Sequence, residues 1–223
     1  MIEIVKVKDK EEGQVKAHDL LLGLVDKDTL LALSGGTSMD YKSMIVDPSD
    51  IIPGAICVVD ERYGEPFHEN SNELLMKNAG IKDFADEKCI ESHKVLRGEG
   101  FLETAKGYEK DIEELFSRFA KKVGVMGVGD NLHTAGIFPY SVAAKSPNFV
   151  EAEEVEDQFP LRITITLRSL GEFTNFVIMM FGDGKREAVK RMLSEDENDM
   201  QKYPAIFYRK NKIKSFLVTD IVI

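Results

Sequence analysis

Short apolar runs separated by amphipathic stretches recur along the whole chain. The runs Ile2–Val7, Leu30–Leu33, Ala55–Val59, Lys122–Met126, Arg162–Thr166 and Asn175–Phe181 have the length of strands. Between them, Glu11–Val25, Ser38–Ile45, Ser71–Lys77, Glu99–Phe119 and Lys185–Leu193 read as helices. The pattern is clearest in Glu99–Phe119, where Leu102, Ala105, Tyr108, Ile112, Leu115 and Phe119 share one face. Segments such as LLAL, AICVV and KVGVM lack polar alternation, so they are expected to be buried on both faces, as in a parallel sheet. Ala205–Arg209 and Ser215–Val218 read as one or two final strands. Strands alternating with helices predict an α/β sandwich on a mainly parallel sheet, with right-handed crossovers. No repeat, low-complexity tract or linker interrupts the pattern, so residues 1–223 are expected to form a single domain with a sizeable core.

Composition then narrows the function. No apolar run nears the roughly 18 residues that a membrane helix needs. The start, MIEIVKVKDKEE, has no basic segment followed by an apolar block. The expectation is a cytoplasmic protein with no membrane partner. Cys57 and Cys89 lie in unrelated surroundings, no CxxC pair exists and His is scarce, so two reduced cysteines and no metal site are expected. A net charge of −10 disfavours a nucleic-acid partner and is compatible with a monomer or small homo-oligomer. It also means that an anionic ligand must be captured by a local cluster of cations and backbone N–H groups.

In such sheets ligands sit beyond the carboxyl ends of the strands. Four polar clusters lie there. In LALSGGTSMDYKS, Ser34, Gly35, Gly36, Thr37 and Ser38 follow a strand and precede an expected helix. Glycines let the backbone approach a ligand, and a helix start offers free N–H groups, although Ser and Thr also cap ordinary turns. In VVDERYGEPFHENSN, Asp60, Glu61 and Arg62 follow a buried strand, with His68, Ser71 and Asn72 downstream. Three charges there are either a site or a solvated, internally paired loop. In VGVMGVGDNLHTAGIFP, a glycine loop leads to Asp130, Asn131 and His133, with Thr134 expected to open a short helix. His133 is placed to be a general base, or to be a structural histidine. Arg162 and Lys185, each also readable as a surface charge, complete a possible positive pocket with Arg62.

Taken in order, these pieces resemble the 6-phosphogluconolactonases, relatives of the glucosamine-6-phosphate deaminases. The matching elements are S-G-G at Ser34–Gly36, D-E-R at Asp60–Arg62 with His68 and S-N at Ser71–Asn72, and G-x-G at Gly127–Gly129. H-T-A with F-P follows at His133–Ala135 and Phe138–Pro139, then R-I-T-x-T from Arg162 and G-x-x-K ending at Lys185. D-E-R rather than the deaminases' D-E-Y, and T-A-G-I-F-P, favour the lactonase branch. The resemblance implies a three-layer α/β sandwich with a mainly parallel, Rossmann-like sheet, and hydrolysis of a phosphorylated sugar lactone with no cofactor and no metal. It implies a phosphate held by Ser34, Gly35, Gly36, Thr37, Ser38, Arg62, Arg162 and Lys185. The catalytic set it implies is His133 activating water, with Asn131, Asp60 and Arg62. Two alternatives follow from the same residues: a sugar-phosphate-binding protein without catalysis, or an amino-sugar-phosphate isomerase or deaminase with Asp60 as base. The family usually reads G-M-G-x-D-G-H-T, whereas this chain reads G-V-G-D-N-L-H-T. Asn131 therefore stands for Asp, and Leu132 for a Gly whose position suggests a positive φ.

Overall fold

A computed structural model describes residues 1–222. Its strands are β1 (Ile2–Lys6), β2 (Thr29–Leu33), β3 (Ala55–Val58), β4 (Asp60–Arg62), β5 (Glu91–Ser92), β6 (Lys121–Gly127), β7 (Val150–Glu154), β8 (Leu161–Ile165), β9 (Asn175–Met180) and β10 (Lys214–Thr219). Its α-helices are α1 (Lys10–Leu24), α2 (Asn72–Asn78), α3 (Ile81–Lys88), α4 (Phe101–Arg118), α5 (Leu167–Leu170), α6 (Arg186–Leu193) and α7 (Phe207–Lys210). Seven parallel strands form the central sheet in the order β1-β10-β9-β6-β2-β3-β5, flanked by helices. Every residue of β2 and β3 is buried, as strands free of polar alternation require. The fold is the α/β sandwich expected, and its chain order reverses between β2 and β6. Loops leaving those neighbouring strands diverge, which opens a crevice at their carboxyl ends.

A second, antiparallel sheet, β4-β8-β7, sits beside that crevice. The strand expected at Arg162–Thr166 belongs here and not to the parallel sheet, and Asp60–Arg62 is a short strand rather than a loop. Their pairing places Arg62 directly opposite Arg162.

Other expectations need correcting. Ser38–Ile45 is not an α-helix; only a π-helical turn forms, at Lys42–Val46. Gln14 of α1 explains this, because its side chain donates to the Ser38 carbonyl and accepts from the Asp40 N–H. Both backbone groups are thereby taken from a helical ladder. No helix begins at Thr134, whose N–H and C=O instead pair with Ile137 while its hydroxyl bonds the Gly127 carbonyl. The run at Ala205–Arg209 is a 3₁₀ turn leading into α7, opened by Pro204. A short apolar run cannot by itself distinguish strand from helix. Leu102 faces solvent at 59% exposure, and Thr104 joins the buried face of α4 in its place. Cys57 is buried as expected, whereas Cys89 is exposed; both are free thiols.

Candidate active site

The crevice is a cleft enclosing about 810 Å³, part of it continuous with solvent. Ser34 to Ser38, Asp60, Arg62, His133, Arg162 and Lys185 all line it, so the sequence candidates converge on one space. Asn131 stands behind His133, outside the cleft lining. Asn72 and Asp157 also line the cleft and were not singled out as site residues from the sequence.

The β2 loop turns its backbone toward the cleft without a helix. Among the described residues, the N–H groups of Gly35, Gly36, Thr37 and Ser38 have no intramolecular acceptor. Successive free N–H groups in a tight loop make an anion-binding concavity. A Cβ at Gly35 would lie 1.9 Å from Asn72 Oδ1, so only glycine permits this close approach. Ser34 is held differently. Its Oγ accepts from the Gly127 N–H and donates to the Gly35 carbonyl, which ties the β2 loop to the β6 loop. The buried Tyr41 hydroxyl donates to the Ser34 carbonyl and anchors the same turn.

Strand alternation sorts the Asp-Glu-Arg triplet. Asp60 and Arg62 face the cleft, while Glu61 points the other way, beneath the start of α2. There the Glu61 carboxylate accepts the N–H groups of Arg62, Asn72 and Glu73 at 2.7–2.8 Å. It fixes α2, whose N-cap Ser71 and first residue Asn72 border the cleft. Asn72 donates to the Asp60 carbonyl, and its Oδ1 is buried without a partner. His68 is structural, its Nε2–H donating to the Arg62 carbonyl at 2.9 Å.

The three cations are not equivalent. Arg162 is buried and paired with Asp157 at 2.5 Å and Asp60 at 3.6 Å. Lys185 pairs with Asp130 at 2.7 Å and donates to the Val128 carbonyl. Arg62 donates to the Asn70 carbonyl and lies over the Phe159 ring, with its Nε unpartnered. No carboxylate lies within ion-pair distance of Arg62 among the described residues. It is the cation most available to an incoming anion. Burial pushes the Asp60 carboxyl above its ordinary range, opposed by Arg162, Arg62 and Asn72.

The His133 loop is the most constrained part. Asn131 Oδ1 accepts the backbone N–H of His133 at 3.1 Å and contacts His133 Nδ1 at 2.6 Å. A backbone N–H can only donate, so the facing amide atom is the carbonyl oxygen, and Nδ1 must carry the proton. Nε2 is then the free base. The ring stacks on Phe138, centroids 4.4 Å apart and planes within 9°. Gly129 leaves room for it, since a Cβ there would lie 2.1 Å from the imidazole. Burial, then the nearby Arg162 and Lys185, push His133 down to about 4, so it is neutral near pH 7. Leu132 has φ 65°, the left-handed conformation expected of a Gly position, and its side chain is fully packed into the core. Asp130 pairs with Lys185 and makes no hydrogen bond to the imidazole, so Asn131 alone fixes the tautomer.

The family model for glucosamine-6-phosphate isomerases/6-phosphogluconolactonase matches residues 24–217, nearly the whole chain. The chain belongs to that family.

Within the family, a 6-phosphogluconolactonase of Nostoc sp. is 30% identical over 155 residues, covering 66% of this chain and 63% of that protein. The chain thus aligns with somewhat less than two thirds of that relative's length. A glucosamine-6-phosphate deaminase of Lactobacillus johnsonii is 25% identical over 215 residues, covering 86% of this chain and 84% of its own. A crystal structure of 6-phosphogluconolactonase from Leishmania guyanensis superposes with a TM-score of 0.79 over 98% of this chain and 96% of that one, at 21% identity, a likeness of fold. Family membership accounts for the ordered polar clusters.

Proposed function

We propose that the chain hydrolyses 6-phosphoglucono-δ-lactone to 6-phosphogluconate, a step of the pentose phosphate pathway, by His-activated water. The observation that carries this reading is one imidazole, tautomer fixed and Nε2 free, facing the same cleft as the unpartnered N–H groups of residues 35–38. A sugar phosphate would span the cleft, its phosphate on the β2 loop and Arg62, its lactone carbonyl beside His133. His133 Nε2 takes a proton from water as the oxygen bonds to the carbonyl carbon. The charge that develops on the carbonyl oxygen is stabilised by cleft donors, Arg62 or the N–H groups near Gly129. As the ring C–O bond breaks, the imidazolium returns its proton to the departing oxygen. No electron changes hands, so the steps need neither a redox cofactor nor a nucleotide. Asp60 holds Arg162 in place instead of serving as a free base, which favours the lactonase reading over the deaminase one. The reading includes a cytoplasmic setting, one domain over residues 1–223, and a monomer or small homo-oligomer.

The discriminating experiment offers the protein fresh 6-phosphoglucono-δ-lactone and, separately, glucosamine 6-phosphate. Lactone hydrolysis above the spontaneous rate, with no ammonia from the amino sugar, is the expected result. Ammonia release without lactone hydrolysis would overturn the reading, and binding of phosphogluconate with neither reaction would leave a sugar-phosphate-binding protein.

A further inference from the structure

Asn131 performs only half of what a carboxylate beside His133 would do. It fixes the tautomer, but as a neutral amide it offers no charge to the imidazolium that forms when water is deprotonated. Four charged groups face His133: Arg162 from β8, Lys185 from the turn before α6, Asp130 from the histidine's own loop, and Asp157 from the β7–β8 hairpin tip. Lys185 and Asp130 close on each other at 2.7 Å, and Asp130 is 77% exposed, so that pair is largely screened by water. Arg162 is a stronger influence because it is buried, its guanidinium 5.7 Å from the centroid of the same Phe138 ring that stacks on the imidazole. Left bare, that cation would oppose any positive charge on His133. Asp157 meets it at 2.5 Å, with Asp60 farther off at 3.6 Å.

The hairpin tip is built to hold this contact. The Val155 N–H donates to the Pro160 carbonyl, closing the tip, and Arg162 Nε donates to the Phe159 carbonyl at 2.8 Å. Phe159 in turn lies under Arg62. One short turn therefore grips both cleft arginines, and its only acidic side chain lining the cleft is Asp157.

We propose that Asp157, rather than the residue at position 131, is the counter-charge of the His133 imidazole, a positioning residue that acts through Arg162. The tasks of orienting and charging the histidine, which a carboxylate at position 131 would join, are divided here between Asn131 and Asp157. The inference concerns the charge on His133; its kinetic consequence rests on the lactonase reading above. The directions of the influences on the imidazole agree, since Asp157 and Asp130 favour its charged form against Arg162 and Lys185.

The test is the His133 ring titration by NMR in the full-length protein, with the His133→Ala spectrum as assignment, alongside pH profiles of lactone hydrolysis. In Asp157→Asn the imidazole is expected to titrate lower than in wild type, because Arg162 loses its closer carboxylate and keeps only Asp60 at 3.6 Å. In Asn131→Asp it should titrate higher, and the double variant should fall between. In kinetics, Asp157→Asn should lower kcat by about three- to tenfold while KM for the anionic substrate stays level or falls, as the freed Arg162 attracts it. Asp157→Glu should recover most of kcat. An unchanged His133 titration in Asp157→Asn would overturn the proposal even if activity dropped, since a purely structural role predicts that combination. If the titration moves but wild type shows no lactone hydrolysis, the counter-charge stands and the lactonase reading fails.

Discussion

Leu132 illustrates how a residue that departs from its family pattern can still be accommodated. A non-glycine residue in the left-handed region costs about 1–2 kcal/mol, whereas burying a leucine side chain contributes about 1.5–3 kcal/mol. Leu132 has φ 65° and is 1% exposed, so burial offsets the strain. His133 and Arg62 were legible because short polar strings directly after apolar strands are conspicuous. Asp157 was not, because Glu156-Asp157-Gln158 is what any exposed hairpin tip carries; only the fold brings it to Arg162. Asn72 was visible as part of a motif but not as a cleft residue. In Gly129→Ala the new Cβ would occupy the space of the imidazole ring, displacing it by about an ångström. The expected loss is about 10²-fold in kcat with little change in the denaturation midpoint, read from steady-state kinetics and urea unfolding.

At the scale of elements, apolar strands were read correctly because burial on both faces leaves no polar alternation to misinterpret. The errors have two causes, a tertiary contact that overrides local pattern and a proline that opens a turn. Gln14, far away in the chain, dissolves the helix expected at Ser38–Ile45, and Pro204 turns an apolar run into a turn and a helix. The β2 loop gains from the lost helix, since its N–H groups stay free as a curved nest. Gly35→Ala tests that loop. Its Cβ would collide with Asn72, so the loop or α2 must shift. KM for the phosphorylated substrate should rise about tenfold, a loss of roughly 1.4 kcal/mol of binding, with kcat affected less. A fall in kcat alone would place the phosphate elsewhere.

At the scale of the whole molecule, a net charge of −10 surrounds a cleft that carries Arg62, Arg162 and Lys185. Attraction of an anion is therefore local, from one loop and one uncompensated arginine, rather than a property of the surface. The half-buried His133 also links pH to stability. His133 is depressed to about 4 in the folded chain, against about 6.5 when unfolded. Between those values the unfolded chain binds the extra proton, so stability rises with pH through this window. The contribution is complete above about pH 6.5 and is lost as pH falls toward 4. His133→Ala should flatten this part of the curve in denaturant titrations at pH 7 and pH 5, whereas an equal slope in both proteins would show that His133 is not the group responsible.

His133, as proposed, activates water in a cleft that holds a sugar phosphate. The most direct measurement is the rate of hydrolysis of freshly generated 6-phosphoglucono-δ-lactone, against the spontaneous rate, by wild type and His133→Ala side by side. Wild type is expected to accelerate the reaction clearly and the variant to lose about 10²–10⁴-fold, with phosphogluconate binding retained through Arg62 and the β2 loop. Equal rates in wild type and variant, or no acceleration by either, would contradict this role of His133.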